Sequence, residues 1–531
     1  MKITIAVLVA AAVVAGAGRH KIVGKAKTIE PAVTASKDSP PPTLPPGAAV
    51  LPTVIGMNVT GLSFFSSENA LYDLIRNHGF IGINGPKFTS NWVDLADQVP
   101  RDSHGGLLHV PKDTGLIVHA GDALLIGSKL QCHLSPGWQV SALMAYIAQD
   151  GSNFVVTPDK NAKPTDSWSL ILHANNDNIA LTELSCRSPA AAAGAVFRPE
   201  FLADMKPFGI VRFMDWMRTN AEPETRWASR PKPDDMSYIA KGMPVEIMVE
   251  LANQLHSDPW FTLPFDADDE YQRNFATYVR DHLAPDLKAY AELSNEVWNN
   301  SFPQSKQATA LGKARYPSED DAHATDYYYG DRVRHMMAIW SEVFAGQKQR
   351  LVRVASSQAA WPARSEFVLG HADTAKSVDV LAIAPYFGGM PFDVPGTGAA
   401  RVDGIFERMP KEIEGQIAHA RQAKAIALKY GLRLVTYEAG TAYDAYTPEM
   451  MKDVQAVLHD PRLAPLYQSY LTRWAREVGG EMVLYNTVGG VWGHLERTGQ
   501  PWHEMPKMAA VANVIASLPQ GQQRGVKAVT P

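Results

Sequence analysis

Cysteine is almost missing from this chain: Cys132 and Cys186 are the only 2 among 531 residues. No Cys-x-x-Cys or His-Glu-x-x-His spacing occurs, so neither a structural nor a catalytic zinc motif is present, and no metal or cofactor is expected. There is no Gly-x-Ser-x-Gly elbow and no Walker loop, which argues against serine-hydrolase and nucleotide chemistry. Positive charge is not in excess: 50 Lys and Arg against 55 Asp and Glu give a net charge of -5. With a pI near 6.4, the balance supplies no basic face, and neither nucleic acid nor anionic lipid is an expected partner.

A membrane span is also lacking. The apolar run from Ile3 to Ala15 follows a lone charge at Lys2 and ends in Ala15-Gly16-Ala17, short of the roughly 20 apolar residues a span needs. Residues 1–17 read as a signal peptide, with an uncleaved anchor as the alternative. No cysteine stands at the cleavage site, so a lipid anchor is not expected. The mature chain should be secreted or periplasmic, a monomer with no stable membrane insertion. In that oxidising compartment Cys132 and Cys186 can form a disulfide, although two buried thiols would look the same in sequence.

What is present falls into blocks. Residues 18–52 are rich in Pro, Ala, Ser and Thr and read as an extended tether. Residues 53–98 open the folded part, with a strand at Val54 to Val59 and a helix at Asn69 to Arg76. Over 99–195, short apolar runs such as Leu116-Ile117-Val118, Leu124-Leu125-Ile126, Phe154-Val155-Val156 and Leu170-Ile171-Leu172 are broken by Gly, Asp, Asn and Pro. They predict a small antiparallel β-module that holds both cysteines. Over 196–517 strands alternate with helices; 518–531 is a tail. Strands are expected at Gly209 to Met214, Trp260 to Pro264, Ala289 to Leu293, Leu351 to Ala355, Val378 to Ala384, Leu432 to Tyr437 and Glu481 to Tyr485. Helices are expected at Met243 to Leu255, Tyr271 to His282, Gly330 to Phe344, Glu412 to Tyr430 and Pro465 to Val478. With the first strand this makes eight strands at a repeat of roughly 45 residues, the unit of a (β/α)8 TIM barrel. The first interval is roughly three times longer and leaves room for the module between the first and second strands. A doubly wound sheet fits less well, because no Gly-x-Gly-x-x-Gly turn follows the first strand.

In such a barrel the strand ends converge on one face. The fourth strand ends in Asn295-Glu296 and the seventh in Glu438. Each glutamate alone reads equally as a helix cap. Together they are the pair that glycosidic cleavage needs, one protonating the leaving oxygen while the other attacks the anomeric carbon or activates water. The segment Glu292-Leu293-Ser294-Asn295-Glu296-Val297-Trp298-Asn299 resembles the Asn-Glu motif of clan A retaining glycoside hydrolases. The runs Val211-Arg212-Phe213-Met214-Asp215-Trp216, Thr219-Asn220 and Pro259-Trp260-Phe261 resemble exported barrel proteins labelled cellulase-like or cellulose-binding. The resemblance covers roughly Pro199 to Ala516. It implies Glu296 as acid/base, Glu438 as nucleophile and Asn295 on the sugar 2-hydroxyl. It further implies Arg212 and Tyr386 as tuners of the nucleophile and Trp492 as a sugar-stacking platform. For Arg212 and Tyr386 the alternatives are a core ion pair and a satisfied core tyrosine.

Trp216, Trp260, Trp298 and Trp361 also lie near strand ends, where indoles can pack on the apolar faces of pyranose rings, although each reads equally as core. His494 is close enough to Trp492 to reach a substrate. Asp266-Ala267-Asp268-Asp269-Glu270 lacks the glycine and spacing of a calcium loop and reads as a helix start. The expected function is therefore an exported glycoside hydrolase that cleaves β-glycosidic bonds of a polysaccharide or oligosaccharide with retention. The rival is a non-catalytic carbohydrate-binding or exopolysaccharide-handling protein on the same barrel.

Overall fold

The computed structural model describes residues 54–84, 92–93, 99–120, 129–159, 161, 168–221, 223–389 and 391–518. The expected signal peptide, the tether, the run Leu124-Leu125-Ile126 and all but the first residue of the tail lie outside the described residues. Eight parallel strands close into a TIM barrel. They are β1 (Ile55–Asn58), β2 (Ile210–Arg212), β3 (Asp258–Leu263), β4 (Ala289–Leu293), β5 (Leu351–Ser356), β6 (Val380–Ile383), β7 (Arg433–Thr436) and β8 (Met482–Leu484). Each pairs with the next, and β8 returns to β1 through Ile55 and Met482. All eight lie where the alternation of the sequence places them.

The strands are nearly continuous apolar runs because both their faces are covered. Val211, Phe261, Ala291, Leu293, Leu381 and Leu434 belong to the main core under the surrounding helices. Alternate residues, among them Trp260, Tyr290, Val354, Val380, Val435 and Tyr437, form a separate cluster inside the barrel. A Cβ on Gly56 would lie 2.9 Å from the side chains of both Ile210 and Val483, so glycine at this level of β1 lets its neighbours fill the interior. The acidic run beginning at Asp266 is a helix start: Asp268 caps the helix Asp269–His282 and accepts from the Tyr271 amide. The helix expected at Asn69 to Arg76 is instead Leu74–His78, capped by Asp73. Leu71 bridges Phe197, and the Tyr72 amide donates to Val196, so that stretch is committed to strand-like pairing. Among the described residues no helix is long and apolar enough to cross a membrane.

Between β1 and β2 the described residues form antiparallel sheets of five, two and four strands. They start earlier than residue 99, because Ile81–Asn84 pairs with Thr114–Ala120. The segment 53–98 is therefore only partly barrel; a four-residue strand with a central glycine gives too short an alternation to read. Leu116, Val118, Leu130, Phe154, Trp168 and Leu170 belong to a second core. Cys132 and Cys186 stand opposite each other on neighbouring strands and are joined by a disulfide across a sequence separation of 54. In the chain-entropy model such a loop closure is worth about 4 kcal/mol.

Candidate active site

At the end of β4 the backbone leaves the extended region. The Ser294 amide still donates to the Leu263 carbonyl of β3, but Ser294 has φ 60° and Glu296 φ 42°. Left-handed backbone at a residue with a side chain costs about 1–2 kcal/mol. Two such residues within three positions form a strained turn of the kind that accumulates at functional sites. At the end of β7, Phe387 donates its amide to the Gly440 carbonyl. Gly440 has φ 131°, and a Cβ there would lie 2.7 Å from the Tyr467 hydroxyl. Glycine is what allows the chain to turn directly after Glu438.

The centre of the site is Arg212, fully buried at the end of β2. Its Nη1 donates to Glu438 Oε1 at 2.7 Å and to Asn58 Oδ1 at 3.1 Å. Its Nη2 donates to Asn295 Oδ1 at 2.8 Å and, with Nε, to Glu292 Oε2 at 2.9 and 3.1 Å. Burial disfavours the guanidinium charge, yet Glu292 and then Glu438 outweigh it and carry its pKa above the ordinary value. The fork thus positions four side chains from the ends of β1, β4 and β7 at once, which a lysine ammonium cannot do. Tyr386, after β6, donates its hydroxyl to the other oxygen of Glu438 at 2.9 Å. Burial, followed by the Glu438 charge, holds the Tyr386 pKa well above its ordinary value, so the phenol keeps its proton.

Glu296 sits differently. Tyr437 donates to its Oε1 at 2.9 Å and Asn299 to its Oε2 at 2.8 Å. The Asn299 amide is oriented by the Ser301 N–H, which its Oδ1 accepts at 3.1 Å. Among the described residues no cation bonds to Glu296 directly. Burial, followed by the charge of Glu438, pushes its pKa up to about 7 against the two hydrogen bonds that favour the anion. One glutamate is thus seated on a guanidinium, and the other retains a proton to near neutrality. Such an asymmetric pair can give a proton and a nucleophile to the same bond.

Several contributors escape a sequence reading. Glu292, at an inward position of β4, shares Arg212 and accepts from the Trp260 indole N–H at 2.9 Å; a carboxylate inside an otherwise apolar strand was the available signal. Asp215, two residues beyond Phe213, accepts from Tyr485 at 2.9 Å. Burial, opposed by that bond and reinforced by Glu438, pushes Asp215 up to about 6. Tyr485, directly after β8, and Tyr386 both set their rings edge-on to Trp492, with centroids 5.9 and 5.2 Å away. All four of Asp215, Tyr386, Tyr485 and Trp492 are partly exposed, around a glutamate pair that is nearly covered.

The other expected aromatics are elsewhere. Trp216 is fully buried, stacks on Phe201 and donates to the Thr60 carbonyl. Trp260 is fully buried inside the barrel against Tyr290. Neither offers a face to a ligand, because the strand-end position that drew attention to each points into packed core. Trp298 is partly buried beside the Glu296 turn, and Trp361 is 37% exposed after β5. His494 is also fully buried: it bonds Tyr467 at 2.7 Å and the Asn486 carbonyl at 2.9 Å. It braces the Trp492 loop from beneath and does not face the cleft.

No protein-family model matches this chain. No curated protein sequence matches it either. Solved structures with partial likeness include a GH51 arabinofuranosidase from Xanthomonas axonopodis pv. citri, at 14% identity and TM-score 0.41, over 60% of this chain and 66% of that one. Xylanase10C from Cellvibrio japonicus aligns over 84% of this chain and 97% of its own, at 10% identity and TM-score 0.32. A modular endo-beta-1,4-mannanase from Cellulomonas fimi aligns over 61% and 68%, at 12% identity and TM-score 0.34.

Proposed function

We propose that this chain is an exported glycoside hydrolase that cleaves β-glycosidic bonds of a polysaccharide or oligosaccharide with retention; the pair Glu296 and Glu438 carries the reading. Glu296 donates its proton to the leaving oxygen while Glu438 attacks the anomeric carbon to form a glycosyl-enzyme. Glu296, now an anion, takes a proton from the water that releases the sugar. Arg212 and Tyr386 aim Glu438, Asn295 faces the sugar beside it, and Trp492 with Tyr485 supplies an aromatic wall for a pyranose face. The carrying observation is the asymmetry of the pair, an acid held up to about 7 beside a carboxylate bound to Arg212.

The test is reducing-sugar release from β-glucans, mannans and xylans by the wild type, Glu296→Ala and Glu438→Ala, with the anomer of the first product followed by NMR. Release by the wild type alone, with the β-anomer formed first, is expected. An inverted first product would overturn retention. Binding of a polymer without release would favour the non-catalytic carbohydrate-binding reading.

A further inference from the structure

A second cluster of ionisable side chains lies where the inserted module meets the barrel. His104, in the turn before Leu107–Val110, places Nδ1 3.4 Å from Asp234 Oδ1 and 3.5 Å from Asp235 Oδ1. Asp234 and Asp235 belong to the long loop between β2 and the helix Val245–Leu255. The two loops are held in register by backbone and lysine contacts: the Met236 amide donates to the His104 carbonyl at 2.9 Å, and Lys241 Nζ donates to the Ser103 carbonyl at 2.8 Å.

The distances are informative. A hydrogen bond between nitrogen and oxygen spans about 2.7–3.2 Å, so both contacts of His104 Nδ1 are too long. Among the described residues neither His104 Nδ1 nor Asp235 Oδ1 has a hydrogen-bond partner, and both atoms are buried. The Asp235 side chain is only 3% exposed. Its other oxygen is used, accepting from the Lys232 amide at 3.0 Å, with Lys241 Nζ 3.9 Å away. That arrangement turns Oδ1 toward His104. Ligands bound to zinc at about 2.0–2.1 Å in a tetrahedron stand roughly 3.3–3.4 Å apart, close to the two separations observed. The three candidate ligand atoms all lie within 4.8 Å of one another. Asp234 is 72% exposed and can move to close the remaining edge.

The geometry points to a divalent-cation site formed by His104, Asp234 and Asp235, which takes zinc or a similar borderline transition metal and pins the inserted module to the loop after β2. One imidazole and two carboxylates suit such an ion, whereas calcium prefers an all-oxygen shell. Three protein ligands leave a fourth position, which the exposed side of the cluster opens to water. The spacing hides the site in the sequence, since the histidine precedes the aspartates by well over a hundred residues.

The experiment uses the tag-free full chain, stripped with a chelator and titrated with Zn2+ by calorimetry, with Co2+ absorption as a coordination readout. The wild type is expected to bind one equivalent at this site, with visible bands of four-coordinate Co2+ and a rise in Tm on adding Zn2+. His104→Ala and Asp234→Asn should each weaken that equivalent at least about tenfold. Asp234 is exposed, so its variant keeps the fold. His335→Ala, which removes a separate exposed His–Asp pair, should bind as the wild type does. Absence of a bound equivalent in the wild type, or binding untouched by both the His104 and Asp234 substitutions, would overturn the site. Neither readout depends on sugar turnover.

Discussion

The hydroxyl of Tyr437 donates to Glu296 Oε1 at 2.9 Å. The next residue in the chain is Glu438, so two consecutive positions at the end of β7 serve both carboxyls of the site. Tyr437 is fully buried in the cluster that fills the barrel, and the Arg212 guanidinium lies 5.1 Å from the centre of its ring. Its place is therefore set by packing, and its hydroxyl acts on Glu296 from a rigid base.

Tyr437→Phe should move the alkaline limb of kcat/KM to higher pH. Burial and the Glu438 charge raise the Glu296 pKa, while Asn299 and Tyr437 oppose them. Removing one donor to the anion leaves less opposition, so the acid holds its proton further into the alkaline range. A hydrogen bond worth about 0.5–1.5 kcal/mol corresponds to a limb shifted by roughly half a unit to one unit. A pH–rate profile decides it, and a limb that stays in place or moves down would count against the assignment of Glu296 as the acid.

Arg212→Ala should be costly twice over. It strips the cation from two buried carboxylates, Glu292 and Glu438, which are 0% and 6% exposed. Removing one partner of a buried ion pair costs about 3–5 kcal/mol. Adding Glu292→Gln to that variant neutralises one stranded charge and should recover part of the stability, measured by urea denaturation, without recovering turnover. Strict additivity of the two stability changes would show that Arg212 and Glu292 are not coupled.

The barrel was legible because a strand covered on both faces needs an apolar run, and from the second strand to the eighth such runs recur at roughly 45 residues. Glu296 and Glu438 were legible because polar residues directly after such runs fall on one face. What sequence could not separate was exposure. Trp216, Trp260 and Trp492 all stand near strand ends, yet only Trp492 keeps an open face, since burial depends on loops packed from distant segments. Asp215 and Tyr485 were missed for the same reason: their hydroxyl–carboxylate contact joins residues 270 apart. The start of the module at Ile81 was hidden by the brevity of that strand.

Lys507 gives the last prediction. It is fully buried and donates to the Trp492 carbonyl at 2.7 Å, so it holds the loop that presents the aromatic wall. Burial pulls its pKa down to about 7 from 10.5. Between those values the unfolded chain binds a proton that the native chain does not, so stability attributable to this group rises with pH across that window. Below about 7 the charged amine is buried at full cost. Lys507→Met keeps the volume and removes both the charge and the donor. It should therefore be more stable than the wild type at pH 6, with the advantage shrinking by pH 9, as followed by thermal denaturation. The freed Trp492 loop should raise KM severalfold on a polymeric substrate while kcat changes less, because neither glutamate is touched. A fall in kcat at constant KM would instead place Lys507 in the service of the chemistry, and a variant less stable at pH 6 would mean that the bond to Trp492 outweighs the burial of the charge.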